Sequence, residues 1–72
     1  MYLVIEIQKN ADGTVGNIVN SYDNENVALS KYHTILSAAA VSSVPVHSAV
    51  VMTEEGYTIR NESYIHEEVN NG

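Results

Sequence analysis

The chain is predicted to fold as an α+β domain of ββαββ order: a four-stranded antiparallel sheet with one helix packed on one face. Two observations carry that prediction. Segments rich in β-branched and aromatic residues fall into two pairs, each joined by a polar turn that ends in glycine. Between the pairs lies one stretch whose apolar residues recur at helical spacing. A third observation bears on function. Two of the strands are apolar on both faces, and a single helix can cover only one.

The first strand reads from Tyr2 to Lys9. Leu3, Ile5 and Ile7 lie on one side of it, and Tyr2 and Val4 on the other. Asn10-Ala11-Asp12-Gly13 is a type I turn signature with glycine at the left-handed position of a bulge. Thr14 to Asn20 is the returning strand. Its alternation of Val15, Ile18 and Val19 is imperfect, and Gly16 marks a bulge or a shallow edge strand.

Asp23 has the character of a helix N-cap, since its carboxylate can accept from the free amides of the first turn. Tyr22 and Val27 have the spacing of a hydrophobic staple around it. Glu25 suits the positive end of the helix dipole. Ala28, Leu29, Tyr32, Ile35, Leu36 and Ala39 then form one apolar stripe. The helix is expected over residues 24–41, about 27 Å long, with Ser42-Ser43 and Pro45 ending it.

The third strand reads from Val46 to Thr53. Val46, Val50 and Met52 share one side, and Ala49 and Val51 the other. Glu54-Glu55-Gly56 repeats the first turn. Tyr57 to Ile65 is the fourth strand, with Tyr57, Ile59 and Ser63 on one face and Thr58, Arg60, Glu62 and Tyr64 on the other. A right-handed crossover through the helix makes strands two and three parallel. The slot between them suits strand one, giving spatial order 2-1-3-4. Orders 1-2-3-4 and 2-1-4-3 remain open. Residues 1–66 are expected as a single domain, and 67–72 as a flexible acidic tail.

Composition narrows the function. At 72 residues without cysteine, the chain forms no disulfide or thiolate metal site, and such a core contributes only about 3–5 kcal/mol. The net charge is −6, and the only basic side chains are Lys9, Lys31 and Arg60. That disfavours direct nucleic-acid binding, which requires neutralising phosphates. No run approaches the roughly 20 apolar residues of a membrane helix, and the start reads as a strand instead of a targeting signal. A soluble protein is the expectation, and the absence of cysteine fits cytoplasmic production.

Chemistry finds no foothold. His33, His47 and His66 lack the spacing of a helical metal pair, so three separate histidines are expected and no metal or cofactor is assigned. A small metal-dependent or hydrolytic enzyme would require them to converge. Asp12-Gly13 and Glu55-Gly56 read as hairpin turns, and no strained elbow is present for a serine nucleophile. Glu54-Glu55 and Glu67-Glu68 are adjacent and exposed, so nothing drives their pKa values apart. Gly13-x-x-Gly16 has no following lysine and opens no helix, so it is no phosphate loop. The chain is expected not to be an enzyme.

Five tyrosines beside no Phe or Trp favour half-exposed positions, since tyrosine joins apolar area to a polar tip. Leu3, Ile5 and Ile7 are the stronger apolar set and are assigned to the helix side. The helix-free face then carries Tyr2, Val4, Glu6, Ala49, Val51 and Tyr64, the expected partner-binding residues. An apolar centre with an acidic rim is what a non-obligate interface shows. The leading expectation is a protein-binding module. The alternative is an acidic inhibitor or nucleic-acid mimic acting on a host enzyme, which needs Glu6, Glu54, Glu55, Glu62, Glu67 and Glu68 clustered on one surface.

One resemblance spans nearly the whole chain to His66. Tyr2-Leu3-Val4-Ile5-Glu6-Ile7-Gln8, Asn10-Ala11-Asp12-Gly13-Thr14, residues 31–42 and Thr53-Glu54-Glu55-Gly56-Tyr57 together resemble small uncharacterised proteins of bacteriophages and prophage-like loci of gram-positive bacteria. The resemblance implies a phage-encoded, cytoplasmic or virion-associated accessory protein whose partner is another phage protein or a second copy. It carries no active site, so no functional residue is transferred by it.

Overall fold

The computed structural model describes residues 1–66; the expected tail at 67–72 lies outside them. The elements are β1 (Tyr2–Lys9), β2 (Val15–Tyr22), α1 (Glu25–Ala40), β3 (Val46–Thr53) and β4 (Thr58–Ile65). The sheet has the order β2-β1-β3-β4, antiparallel throughout, with the helix on one face. The ββαββ expectation and its strand order hold.

Both hairpins close in the same way. Asn10 N–H donates to Thr14 O at 2.8 Å and Gly13 N–H to Asn10 O at 2.9 Å. Thr53 N–H donates to Tyr57 O at 2.8 Å and Gly56 N–H to Thr53 O at 2.9 Å. In each turn the glycine takes a positive φ, 91° at Gly13 and 96° at Gly56, which a side chain disfavours. In the first turn, Asp12 Oδ1 also accepts from the Thr14 amide at 2.9 Å and from its hydroxyl at 2.7 Å.

The helix start differs from expectation. Asn24 is the N-cap, and its Oδ1 accepts from the amides of Asn26 at 2.8 Å and Val27 at 3.2 Å. Asp23 is displaced because β2 runs on to Tyr22, which pairs with Tyr2. Tyr22 packs against the core from the sheet, and Val27 is exposed, so the two form no staple. At the other end, Ala39 O accepts from the Ser42 amide at 3.2 Å and from the Nε2–H of His66 at 2.7 Å.

Alternation assigns the faces. Paired residues share a face, so Tyr2, Val4, Glu6 and Gln8 lie with Tyr22, Asn20, Ile18 and Gly16 of β2 and with Thr53, Val51, Ala49 and His47 of β3. This is the side that takes the helix. Val4, Ala49 and Val51 are fully buried with Ala28, Tyr32, Ile35 and Leu36. The expected helical stripe is the buried one, with Leu29 at its margin.

The last strand contains a bulge. Val51 pairs with Arg60 but Met52 pairs with Thr58, which leaves Ile59 unopposed. The extra residue breaks the expected alternation. Ile59 packs against the core, while Ser63 faces the opposite side, where it accepts from the Ser48 hydroxyl at 2.8 Å.

Candidate functional site

The expected partner-binding set, Tyr2, Val4, Glu6, Ala49, Val51 and Tyr64, is brought together, but beneath the helix. Val4, Ala49 and Val51 are core, and Tyr2 and Tyr64 pack against it. The assignment of faces is therefore inverted. The physical reason is the right-handed crossover from β2 to β3, which passes over the Val4 side of β1. A helix approaches a sheet best over small and β-branched side chains, and Ala49 between Val4 and Val51 makes that shallow bed. The bulkier Leu3, Ile5 and Ile7 are left for the other side.

Glu6 belongs to a polar cluster at the margin of the core. The Nε2–H of His47 donates to Glu6 Oε2 at 2.6 Å, and the Gln8 amide donates to the same oxygen at 3.1 Å. Burial pushes the Glu6 carboxyl up, but the hydrogen bonds from His47 and Gln8 outweigh it, and the group lies below the usual carboxylate range. His47 is buried, and its Nδ1 has no partner. The signal for this cluster was in the register: Gln8 stands opposite His47, one step from Glu6.

The histidines lie apart in their contacts. His33 is exposed on the helix against Tyr32, His47 holds Glu6, and His66 bonds Ala39. Among the described residues no metal-ligating group of three or more is assembled. The carboxylates also separate. Glu54 sits in the second hairpin turn, where its Oε1 accepts from the Met1 ammonium at 2.7 Å. Glu6 and Glu62 occupy one cross-strand row through Ala49, with the helix packed between them over Ala49. Glu67 and Glu68 are outside the described residues.

The helix-free face is the remaining candidate. β1 contributes Leu3, Ile5, Ile7 and Lys9, and β3 contributes Met52, Val50, Ser48 and Val46. β2 adds Ser21, Val19, Asn17 and Val15, and β4 adds Asn61, Ser63 and Ile65. Leu3, Ile5, Ile7, Val50 and Met52 are half-buried, and no element of the described residues is layered above them. Lys9, at the strand end, is the only charged residue in the set. Eight-residue strands at about 3.3 Å per residue and about 4.8 Å apart make this plane roughly 26 by 19 Å. That is ~500 Å² for the whole face, with Leu3, Ile5, Ile7, Val19, Val50 and Met52 as its apolar centre and Ser21, Ser48, Asn61 and Ser63 around them.

Among the described residues no helix is long and apolar enough to cross a membrane. The chain matches no protein-family model, no curated protein and no solved structure. What the fold defines is a small α+β domain with one sheet face that no described element covers.

Proposed function

We propose that the protein is a non-catalytic interaction module that docks another protein chain through the helix-free face of its sheet. The observation that supports this reading is the plane of Leu3, Ile5, Ile7, Val19, Val50 and Met52, which among the described residues is uncovered and carries no acidic side chain, in a chain of net charge −6. Charge depleted from an apolar centre is the compositional mark of an interface core. The partner fitted to it presents a flat, uncharged apolar surface. By the sequence resemblance that partner is phage-encoded, and the module works in the host cytoplasm or in the virion.

The test is retention of a stoichiometric partner. Tagged protein recovered from its native host and examined by native mass spectrometry should carry one defined chain, either foreign or its own. Ile5→Lys and Val50→Lys should each weaken that complex at least tenfold while circular dichroism stays unchanged. A folded protein that holds no stoichiometric chain, or variants that hold it as well as wild type, would overturn the proposal.

A further inference from the structure

The two edges of the sheet are built differently. β4 carries Arg60 and Glu62 and is bent by the bulge at Ile59, devices that keep a foreign strand from adding to an edge. β2 has none of them. Its sequence, Val-Gly-Asn-Ile-Val-Asn-Ser-Tyr, contains no charge and no proline, and its pairing with β1 is regular over all eight residues. Three of its large apolar side chains stand exposed: Val15 at 60 %, Ile18 at 56 % and Val19 at 52 %. They occur on both faces of the strand, so covering the helix-free face alone would leave Ile18 bare.

The backbone groups available at this edge follow from the register. Asn10 N–H bonds Thr14 O, and in an antiparallel ladder hydrogen-bonded pairs alternate with non-bonded ones. Gly16, Ile18, Asn20 and Tyr22 therefore turn their backbone groups to β1. Val15, Asn17, Val19 and Ser21 turn theirs outward. The β1–β3 ladder fixes the same parity from the other side, because Glu54 N–H donates to Met1 O at 3.1 Å.

We infer that β2 pairs antiparallel with β2 of a second copy, joining the two sheets into one of eight strands across a two-fold axis at Asn17. Only outward-facing residues can form the hydrogen-bonded pairs, so odd positions meet odd positions. In this register Val15 stands opposite Val19 of the other copy, Asn17 opposite Asn17, and Gly16 opposite Ile18. Each feature of β2 then has a use. The two valine pairs lie on the helix-free face. On the helix side, Ile18 of each copy faces the other copy's cleft of about 210 Å³ over Gly16, which Glu6, Gln8, Asn10, Asn17 and that copy's own Ile18 also line. The space beside the Gly16 α-carbon is open for it.

A second copy is the occupant because the strand complements itself. Val15 and Val19, and Gly16 and Ile18, are each related by one centre, which an unrelated strand has no reason to match. The pairing segment is also uncharged, so two chains of net charge −6 meet where neither places a carboxylate within the ladder. Two bonds per hydrogen-bonded pair give about six in all. So small a contact fits a transient dimer of roughly micromolar affinity. The dimer forms along the edge of the sheet, shares Val15 and Val19 with the margin of the proposed docking face, and makes two such faces coplanar.

Sedimentation of the purified chain from roughly 5 to 500 µM, spanning that affinity range, tests the inference. Wild type should move from monomer to dimer. Asn17→Pro removes one outward N–H and no bond to β1, so it should raise the dimer dissociation constant at least tenfold while the urea midpoint is kept. Asn17→Cys should give a symmetric disulfide under mild oxidation, since residues facing across such a pair have α-carbons about 5.5 Å apart. Ser21→Cys should not. A monomer at every concentration, or Ser21→Cys oxidising as fast as Asn17→Cys, overturns the inference. So does a dimer lost in Ile5→Lys but kept in Asn17→Pro, which would leave the docking face itself as the self-contact.

Discussion

Val50 and Val51 are neighbours on one strand, and the same substitution at each measures which face carries the core. Val51 is fully buried beneath the helix, whereas Val50 is half-buried on the uncovered side. Replacing valine by alanine deletes two methyl groups, worth about 1.6 kcal/mol of transfer free energy when burial is complete. At Val51 the helix above closes only partly over the hole, which adds roughly 1 kcal/mol for the cavity. Val51→Ala should therefore cost about 2–3 kcal/mol. At Val50 the transfer term is about halved and no cavity forms, so the cost should stay below ~1 kcal/mol. The loss of strand propensity is common to both and cancels in the difference.

For a domain stabilised by about 3–5 kcal/mol, the first variant loses around half its stability and the second little. Urea unfolding followed by circular dichroism, at one protein concentration, resolves them. At about 4–8 °C per kcal/mol for a domain of this size, their melting temperatures should differ by roughly 10 °C. Equal costs, or a larger cost at Val50, would refute the placement of the helix over Val4, Ala49 and Val51.

Two further predictions follow from local structure. Asn24→Ala removes the oxygen that caps the Asn26 and Val27 amides and should cost about 1 kcal/mol, whereas Asp23→Ala should stay within ~0.5 kcal/mol; the opposite ranking in urea midpoints would restore Asp23 as the cap. Because Glu6 is held below the usual carboxylate range, its stabilising contribution is complete above its unfolded pKa and is lost as pH falls through the folded value. Glu6→Gln should accordingly flatten the loss of stability below about pH 4.3, the ordinary glutamate value; an acid limb as steep as wild type in urea midpoints measured from about pH 6 to 3 would exclude that role.

Most of the fold was legible because each local signal had one reading. Glycine after a polar turn fixed both hairpins, and Gly13 and Gly56 adopt the positive φ those turns need. The stripe from Ala28 to Ala39 had no alternative to a helix against a sheet. The crossover rule and a β1 apolar on both sides favoured the strand order that is found, while leaving 1-2-3-4 and 2-1-4-3 open. What escaped was set by competition between neighbours. The β1–β2 ladder extends to Tyr22, and the helix begins one residue later than expected, with Asn24 as its cap. The bulge at Ile59 depends on how β4 meets β3, which no periodicity within β4 reveals. The Glu6–His47 contact needed the register between strands distant in sequence.

The inverted face is the instructive error, because the information to avoid it was present. Ranking the two sides of β1 by hydrophobicity favours Leu3, Ile5 and Ile7 as core, but an uncovered interaction face can be the more apolar one. Chirality decides independently. For an L-residue on a strand running upward with its side chain toward the viewer, the N–H and C=O point right. The first turn places Asn10 and Thr14 in a bonded pair, so even residues of β1 point to β2. Viewed with Tyr2 and Val4 toward the reader, β2 lies to the right of β1 and β3 to the left, both running down. A right-handed crossover from β2 to β3 then passes in front of that view, over Val4. The turn, the strand order and the handedness together place the helix where it is found, with no appeal to composition. The apolarity of Leu3, Ile5 and Ile7, freed from explaining the core, is left as the property of a surface.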